Sequence, residues 1–358
     1  MRSGVRLDST INQSDRITVQ SDAYYGEQGT TLTIPTLDSP YSEDEAAQRF
    51  SNGVNLLSRW EHDLAEDSQL QLQAYYDRVD RDDLLLTQHR DTFDLSLQHH
   101  VLPFDNNDLV YGMGYRFYRD DLENSKTVSF DPDNRNVDRI NWFAQNEIAL
   151  IDRRLFLTIG SQFEHNEFSG FEIQPTARAL WSLTDTSSIW ATVSRAVRAP
   201  SRSSNDLRYI AATSPGEEGV PITSTIIGNR GVDAENLLAY ESGFRAEITP
   251  AVSIDLTGFY NDYSDLESLE PQPQVSSSVD GLPTTVSPLF IENQLDGHSY
   301  GGELSVDWRV DKDWRLVGYY SYLQMQLTPD ADSGDSTSEA QEGQSPEHQI
   351  MLRSLLNL

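Results

Sequence analysis

The 358-residue chain contains no cysteine. This absence excludes a disulfide framework, a thiolate metal site and a cysteine nucleophile. It also suits a chain that crosses an oxidising compartment, where free thiols would mispair. With 21 glycines and 15 prolines, the sequence is neither collagen-like nor wholly disordered. Its length is enough for one large domain or two ordinary ones.

Basic residues are scarce. The chain has 26 lysines and arginines against 57 acidic residues, which gives a formal net charge of -31. Proteins that bind nucleic acid need a basic face to contact the phosphates. The charge balance therefore excludes nucleic acid as a partner.

Long apolar runs are also missing. No run approaches the roughly 18 residues that a membrane helix needs, and residues 1–8 lack the apolar segment of a signal peptide. The mean hydropathy is -0.54. These observations exclude a helical membrane protein. They do not exclude a membrane β-barrel, because only every second residue of a barrel strand faces lipid.

What the sequence does contain is an alternation with period two. Leu70 and Leu72 alternate with Gln71 and Gln73, and the same pattern recurs at 93–98, 155–164, 252–257 and 304–310. In a strand, this alternation gives the sheet one apolar and one polar face. It predicts about fifteen strands of roughly 9 to 13 residues, long enough to cross a bilayer at a tilt.

The connections between these strands fall into two classes that alternate along the chain. Short connections are predicted near 12–15, 62–68, 102–108, 151–153, 184–187, 249–251 and 310–313. Long connections are predicted near 26–49, 80–90, 120–138, 196–236, 264–297 and 328–346, with one short exception at 165–169. Outer-membrane barrels have short turns on one side and long loops on the other, whereas soluble sandwiches have no reason to separate them. The predicted fold is an all-β, transmembrane, antiparallel up-and-down β-barrel.

Catalytic and metal-binding patterns are few. His99 and His100 are neighbours that point to opposite faces of a strand, so they cannot hold one metal ion together. The acidic stretch 328–346 could bind Ca²⁺, but it fails the EF-hand pattern because the sixth position from Asp330 is Asp335 rather than glycine. A solvated, mobile loop is the favoured interpretation of that stretch. No nucleophile elbow is present, so we expect neither an enzyme nor a cofactor.

Several ordered segments resemble the barrel of TonB-dependent receptors. The segment Phe171–Arg202 includes SRAVRAPSR, an element similar to one that often ends a strand–turn–strand unit of that family. Leu237–Pro271 looks like the hairpin that follows, and Asn136–Gln162 and Gly297–Gln326 are similar to further strands. The resemblance implies a bacterial outer-membrane receptor for active uptake of a bulky nutrient, commonly a ferric siderophore. It also implies energy supply from a TonB–ExbB–ExbD complex and contact with outer-membrane lipid and lipopolysaccharide.

Two departures from the family pattern shape the expected domain organisation. Family members carry an N-terminal plug, and nothing here precedes the first predicted strand. Family barrels have 22 strands and end on an aromatic residue, whereas this sequence ends at Leu358 within the strand-like run His348–Leu358. We therefore expect residues 1–358 to form a partial barrel, without the plug and the last strands.

Arg198, Arg202 and Tyr209 are the candidate ligand-binding residues, because they lie at the base of or within the long connection 196–236. The arginines could attract an anionic chelate, and the tyrosine could stack on it. Alternatively, Arg195, Arg198 and Arg202 pair with loop carboxylates or lipid phosphates. A passive porin-like or adhesive outer-membrane barrel is the alternative function, and an outer-membrane enzyme comes third.

Overall fold

The computed structural model describes residues 1–151, 154–279 and 281–357. In this part of the chain, fifteen long strands and four short ones form one sheet. Helical structure is limited to α1 (Arg202–Asp206) and two 3₁₀ turns, Glu217–Gly219 and Ser338–Gln344. No helix of the described residues is long and apolar enough to cross a membrane.

The long strands are β1 Arg2–Thr10, β2 Asp15–Pro35, β3 Ser42–Ala65, β4 Ser68–Asp82, β5 Leu86–Phe104, β6 Asn107–Asn124, β8 Asn134–Ile151, β9 Leu155–Asn166, β10 Gly170–Thr184, β11 Ser187–Arg198, β14 Glu235–Thr249, β15 Val252–Pro271, β17 Leu282–Arg309, β18 Trp314–Pro329 and β19 His348–Leu356. The short strands are β7 Val128–Phe130, β12 Leu207–Ser214, β13 Ile222–Ile227 and β16 Val275–Val279. The short strands all lie in the predicted long connections.

The long strands form an antiparallel meander in which each strand pairs with the next long strand in the chain. This confirms the predicted architecture and the predicted number of strands. Among the described residues, β1 pairs only with β2 and β19 only with β18, so the sheet is not closed. The two edge strands expose their side chains almost completely.

The register aligns the apolar residues of successive strands in rows on one face. Leu72 pairs with Trp60 on β3 and Leu97 on β5, and that row continues through Met113 and Trp142. Many side chains on this apolar face are exposed, since no second sheet of the described residues covers them. The face includes all the residues predicted to face lipid: Leu70, Leu72, Leu155, Leu157, Ile254 and Val306. The opposite, polar face includes Gln71, Gln73, Thr158, Asp255 and Asp307.

Several predicted long loops are shorter than expected, because strands continue into them. The predicted loop 26–49 is wrong over most of its length, since β2 and β3 pair as far as Pro35 and Ser42 and leave only 36–41 as the connection. Residues 30–34, Thr-Thr-Leu-Thr-Ile, favour strand strongly because they are mostly β-branched. The loop 80–90 likewise shrinks to 83–85, and most of 264–297 is strand. The long strands therefore span 9 to 28 residues, and many of them are longer than predicted.

The short strands join three long connections into a second layer, here called the cap sheet. β12 pairs antiparallel with both β7 and β13, and β13 runs parallel to the first part of β17, which also pairs with β16. β12 also comes within 8 Å of β2, measured between Cα atoms. β12 lies in the connection that follows β11. In the meander, seven strands, β3–β6 and β8–β10, lie between β2 and β11. The cap sheet therefore reaches over one end of a strongly curved main sheet.

Candidate functional site

A cavity of about 440 Å³ lies where the long connections meet the main sheet. We call it the vestibule cavity. It is formed by the ends of β11, β14, β15 and β18 and by the middle of β17, and the 3₁₀ turn Ser338–Gln344 borders it. Its lining residues are Arg198, Glu235, Tyr263, Leu266, Glu267, Ser268, Leu269, Ile291, Leu295, Met325, Leu327, Thr337, Ser338 and Gln341.

Apolar side chains make up half of the residues in the cavity wall, although the main ones belong to the polar face of the sheet. Met325 and Leu327 alternate with Gln324 and Gln326 on β18, so period two carries them to that face together. Leu327 pairs with Gly297, which in turn pairs with Tyr263. The inner surface is therefore apolar where β15, β17 and β18 line the cavity. An apolar surface at this place suits a ligand with an apolar part.

One ion pair crosses the polar side of the vestibule cavity. Arg198 donates from Nε and Nη2 to the two carboxylate oxygens of Glu235, the two-point geometry that arginine makes with carboxylates. Arg198 remains 69% exposed while Glu235 is 12% exposed. The backbone N–H of Glu267 donates to Glu235 Oε1 at 2.9 Å, and Glu267 Oε1 accepts from Ser204 Oγ at 2.6 Å. These bonds fix the position of both carboxylates.

Arg202 belongs to an arginine cluster near the cavity, here called the buried arginine cluster after its two buried carboxylates. The cluster consists of Arg90, Arg135, Arg202 and Arg230 around the carboxylates of Asp120 and Asp206, which have no exposed side-chain surface. Arg202 donates to Asp120 at 2.5 Å and to Asp206 at 3.1 Å, and also to the carbonyl oxygen of Pro132. The cluster ties the connection after β11 to β6 and to the β7 segment.

The local sequence explains why the chain turns at this point. Ser201 caps α1: its hydroxyl accepts from the Ser204 backbone N–H, and the Ser204 hydroxyl accepts from the Ser201 backbone N–H. Gly228 then passes so close that an added Cβ would lie 2.7 Å from the carbonyl carbon of Asn205. The packing therefore requires glycine at 228.

Two carboxylates hold the acidic connection 330–347 against β15. Glu270 accepts from Ser333 Oγ at 2.8 Å and from the Gly334 backbone N–H at 2.7 Å. Asp335 accepts from the backbone N–H groups of Leu269 and Thr337 and from the Ser338 hydroxyl. Burial alone would raise the pKa of Asp335, but these hydrogen bonds lower it to about 2. This anchoring differs from the solvated, mobile loop predicted from the sequence.

The structure separates the three candidate residues. Arg198 lines the vestibule cavity, Arg202 lies in the buried arginine cluster, and Tyr209 is half-buried on β12 of the cap sheet. Their role in ligand binding stays a prediction. Glu235 and Glu267 line the cavity but could not be selected from the sequence, because nothing distinguishes them from the other acidic residues of the long connections. In the described ranges, no group of three or more histidine, aspartate or glutamate side chains is placed to hold a metal ion.

The sequence profile of the family described as TonB dependent receptor-like, β-barrel, matches residues 3–356. The chain belongs to this family. A search of curated proteins found no match. The TonB-dependent receptor fold seen here agrees with the resemblance in the sequence, and the family consists of transport receptors.

Solved structures of TonB-dependent receptors share this fold at low sequence identity. The siderophore receptor PirA from Acinetobacter baumannii is 16% identical with a TM-score of 0.71, over 99% of this chain and 55% of that one. The FrpB iron transporter from Neisseria meningitidis is 15% identical with a TM-score of 0.68, over 93% and 53%. The alcaligin receptor FauA from Bordetella pertussis is 13% identical with a TM-score of 0.59, over 100% and 57%. The chain thus spans about half the length of these receptors.

Proposed function

We propose that this chain forms the barrel wall and ligand vestibule of an outer-membrane receptor for TonB-dependent uptake of a bulky nutrient, a ferric siderophore or a similar chelate. The vestibule cavity is the observation that carries the proposal. It lies at the end of the barrel where the long connections meet, which is where binding residues concentrate on a rigid scaffold. The siderophore and iron receptors among the structural relatives support a chelate as the ligand.

The proposed receptor works in the outer membrane of a bacterium. Its apolar face of exposed leucine, tyrosine and tryptophan side chains contacts lipid, and its acidic connections meet the lipopolysaccharide outside. Energy for uptake comes from the inner-membrane TonB–ExbB–ExbD complex. Membership of the TonB-dependent receptor family supports the TonB partner.

The three candidate residues take different parts in this proposal. Arg198 uses Nε and Nη2 on Glu235, which leaves Nη1 to donate a hydrogen bond to a ligand oxygen. Arg202 holds the connection above the cavity in place through Asp120 and Asp206. Tyr209, half-buried on β12 of the cap sheet, would offer its aromatic ring to the ligand.

Uptake of a radiolabelled ferric chelate tests the proposal. The gene is expressed from its own genomic context in iron-limited cells, where uptake should stop when the proton gradient is collapsed. Arg198→Ala should raise the concentration for half-maximal uptake by about tenfold to a hundredfold, since a hydrogen bond from a charged donor contributes about 1.5–3 kcal/mol. Arg208→Ala, at an exposed position on β12, is the matched control.

Two results would contradict the proposal in different ways. Uptake that continues without the proton gradient would identify a passive porin-like barrel. If Arg198→Ala takes up the chelate as well as the unchanged protein at equal surface level, Arg198 does not contact the ligand.

A further inference from the structure

The walls of the vestibule cavity come from connections with a one-sided charge. The segments 264–297 and 330–347 contain six acidic residues each and no lysine or arginine. Arg198 is the only basic residue that lines the cavity, as far as the chain is described, and its charge is matched by Glu235. A polyanionic ligand would find no free positive charge here and would lose its hydration opposite carboxylates.

Arg198 and Glu235 neutralise each other, so Glu267 carries the remaining charge of the described cavity lining. It lines the vestibule cavity, is half-buried, and lies close enough to Arg198 to interact with it electrostatically. Within the described ranges, no lysine, arginine or histidine nitrogen lies within 4.0 Å of its carboxylate, while Arg198 is bound on two points by Glu235. Ser204 Oγ occupies only Oε1, so Oε2 remains able to accept a further hydrogen bond. The cavity therefore has a net charge of minus one, located at a fixed carboxylate.

The arginines of the neighbouring cluster do not line the cavity, and all of them are bound to other carboxylates. Arg202, Arg135 and Arg230 all bind Asp206, and Arg90 binds Asp120. Because Arg202 is 5% exposed, it would have to leave two buried carboxylates in order to reach a ligand, which is costly. The lining of the cavity, as described, thus keeps the single excess negative charge of Glu267.

We propose that the vestibule cavity binds a ligand arm that ends in a protonated amine, with Glu267 as its counter-ion and the apolar wall around the methylene chain. Tyr263, Leu295, Met325 and Leu327 supply this wall. The ligand class is then a cationic or uncharged iron chelate, such as a trihydroxamate with an amine tail, rather than a polyanionic tris-catecholate. This inference rests on the proposed function. It adds the sign of the ligand's charge and names Glu267 as the residue that recognises that charge.

The test compares three probes on the whole chain folded in detergent micelles. They are a linear ferric trihydroxamate with a protonated amine, the same chelate with that amine acetylated, and a ferric tris-catecholate. Dissociation constants are measured by titration calorimetry. We expect the amine-bearing chelate to bind about tenfold more tightly than its acetylated form, a difference of about 1.4 kcal/mol, and the tris-catecholate to bind weakest.

Two variants connect this difference to Glu267. Glu267→Gln keeps an oxygen to accept the Ser204 hydroxyl but removes the charge, so both trihydroxamates should bind to it with the affinity that the acetylated form has for the unchanged protein. Glu339→Gln removes one charge from an exposed position in the turn that closes the cavity and should preserve the tenfold difference. Equal loss of the difference in both variants would show a general effect of net charge and overturn the assignment of Glu267.

The remaining outcomes separate the inference from the proposed function. Tightest binding of the tris-catecholate would overturn the inference but leave the receptor function standing. Equal binding of the two trihydroxamates would also overturn it. If no probe binds, both the inference and the chelate-binding function are refuted for this chain.

Discussion

Removing Arg202 should loosen the outer connections without unfolding the barrel. The Arg202→Ala variant leaves Asp120 and Asp206 fully buried and deprives each of one partner. Breaking a buried ion pair by removing one partner costs about 3–5 kcal/mol. Asp120 keeps Arg90 at 3.0 Å and Asp206 keeps Arg135 at 2.9 Å, so we place the loss at the lower limit, about 3 kcal/mol.

This loss acts on local opening rather than on global unfolding. The cluster joins the connection 199–234 to β6 and to the segment before β8, whereas the hydrogen-bonded ladder of the barrel is unchanged. A loss of about 3 kcal/mol raises the population of the locally open state by roughly 100-fold, since 1.4 kcal/mol is a factor of ten. Amide hydrogen exchange measured by mass spectrometry should therefore be faster by about that factor in peptides from 125–133 and 199–234.

The control for this prediction is Arg208→Ala, which removes the same side chain from an exposed position six residues along the chain. A surface change of this kind is expected to alter stability by less than about 0.5 kcal/mol. Unchanged exchange in the Arg202 variant would show that the cluster does not hold the connection. Equal acceleration in peptides from β9 and β10 would show that it supports the barrel as a whole.

Three further predictions concern the loops and the membrane surface. Asp335→Ala should speed hydrogen exchange in 330–347. The folded pKa of Asp335, about 2, lies below the ordinary value of 3.8, so the ionised carboxylate stabilises this connection above about pH 4. That stabilisation is lost as the pH falls through about 2. Because Asp335 stays ionised between pH 5 and 8, the exchange of 330–347 should not change over this range once the intrinsic rates are corrected for, and a change would contradict the prediction. Leu256→Arg on the apolar face should lower the unfolding free energy in lipid vesicles by about 2–4 kcal/mol, while Thr257→Arg on the polar face should have little effect, as urea titrations would reveal. Finally, the chain should need detergent to stay monodisperse in size-exclusion chromatography, because its apolar face is uncovered; a folded, monodisperse sample without detergent would count against a membrane-spanning sheet.

The sequence by itself determined the sheet. Period-two alternation is written into each strand separately, so residues such as Leu72 and Gln73 could be assigned to opposite faces without knowing any partner strand. The order of short and long connections then fixed the meander, since antiparallel neighbours need only a turn between them. Where the prediction failed, as at 26–49, β2 and β3 stay paired well beyond the predicted 9 to 13 residues, through a segment rich in β-branched residues.

Only the tertiary structure decided the vestibule. Arg202 meets Asp120 across 82 residues, Ser204 meets Glu267 across 63, and Gly334 meets Glu270 across 64. No local pattern selects one carboxylate among the 57 acidic residues for such a contact. Their pairing depends on how three connections pack over the end of the curved sheet, and this packing decides which arginines are already neutralised and which carboxylate stays free. The net charge of the cavity therefore depends on the folded chain. It is set by which charged side chains the fold brings together, and the sequence does not specify those distances.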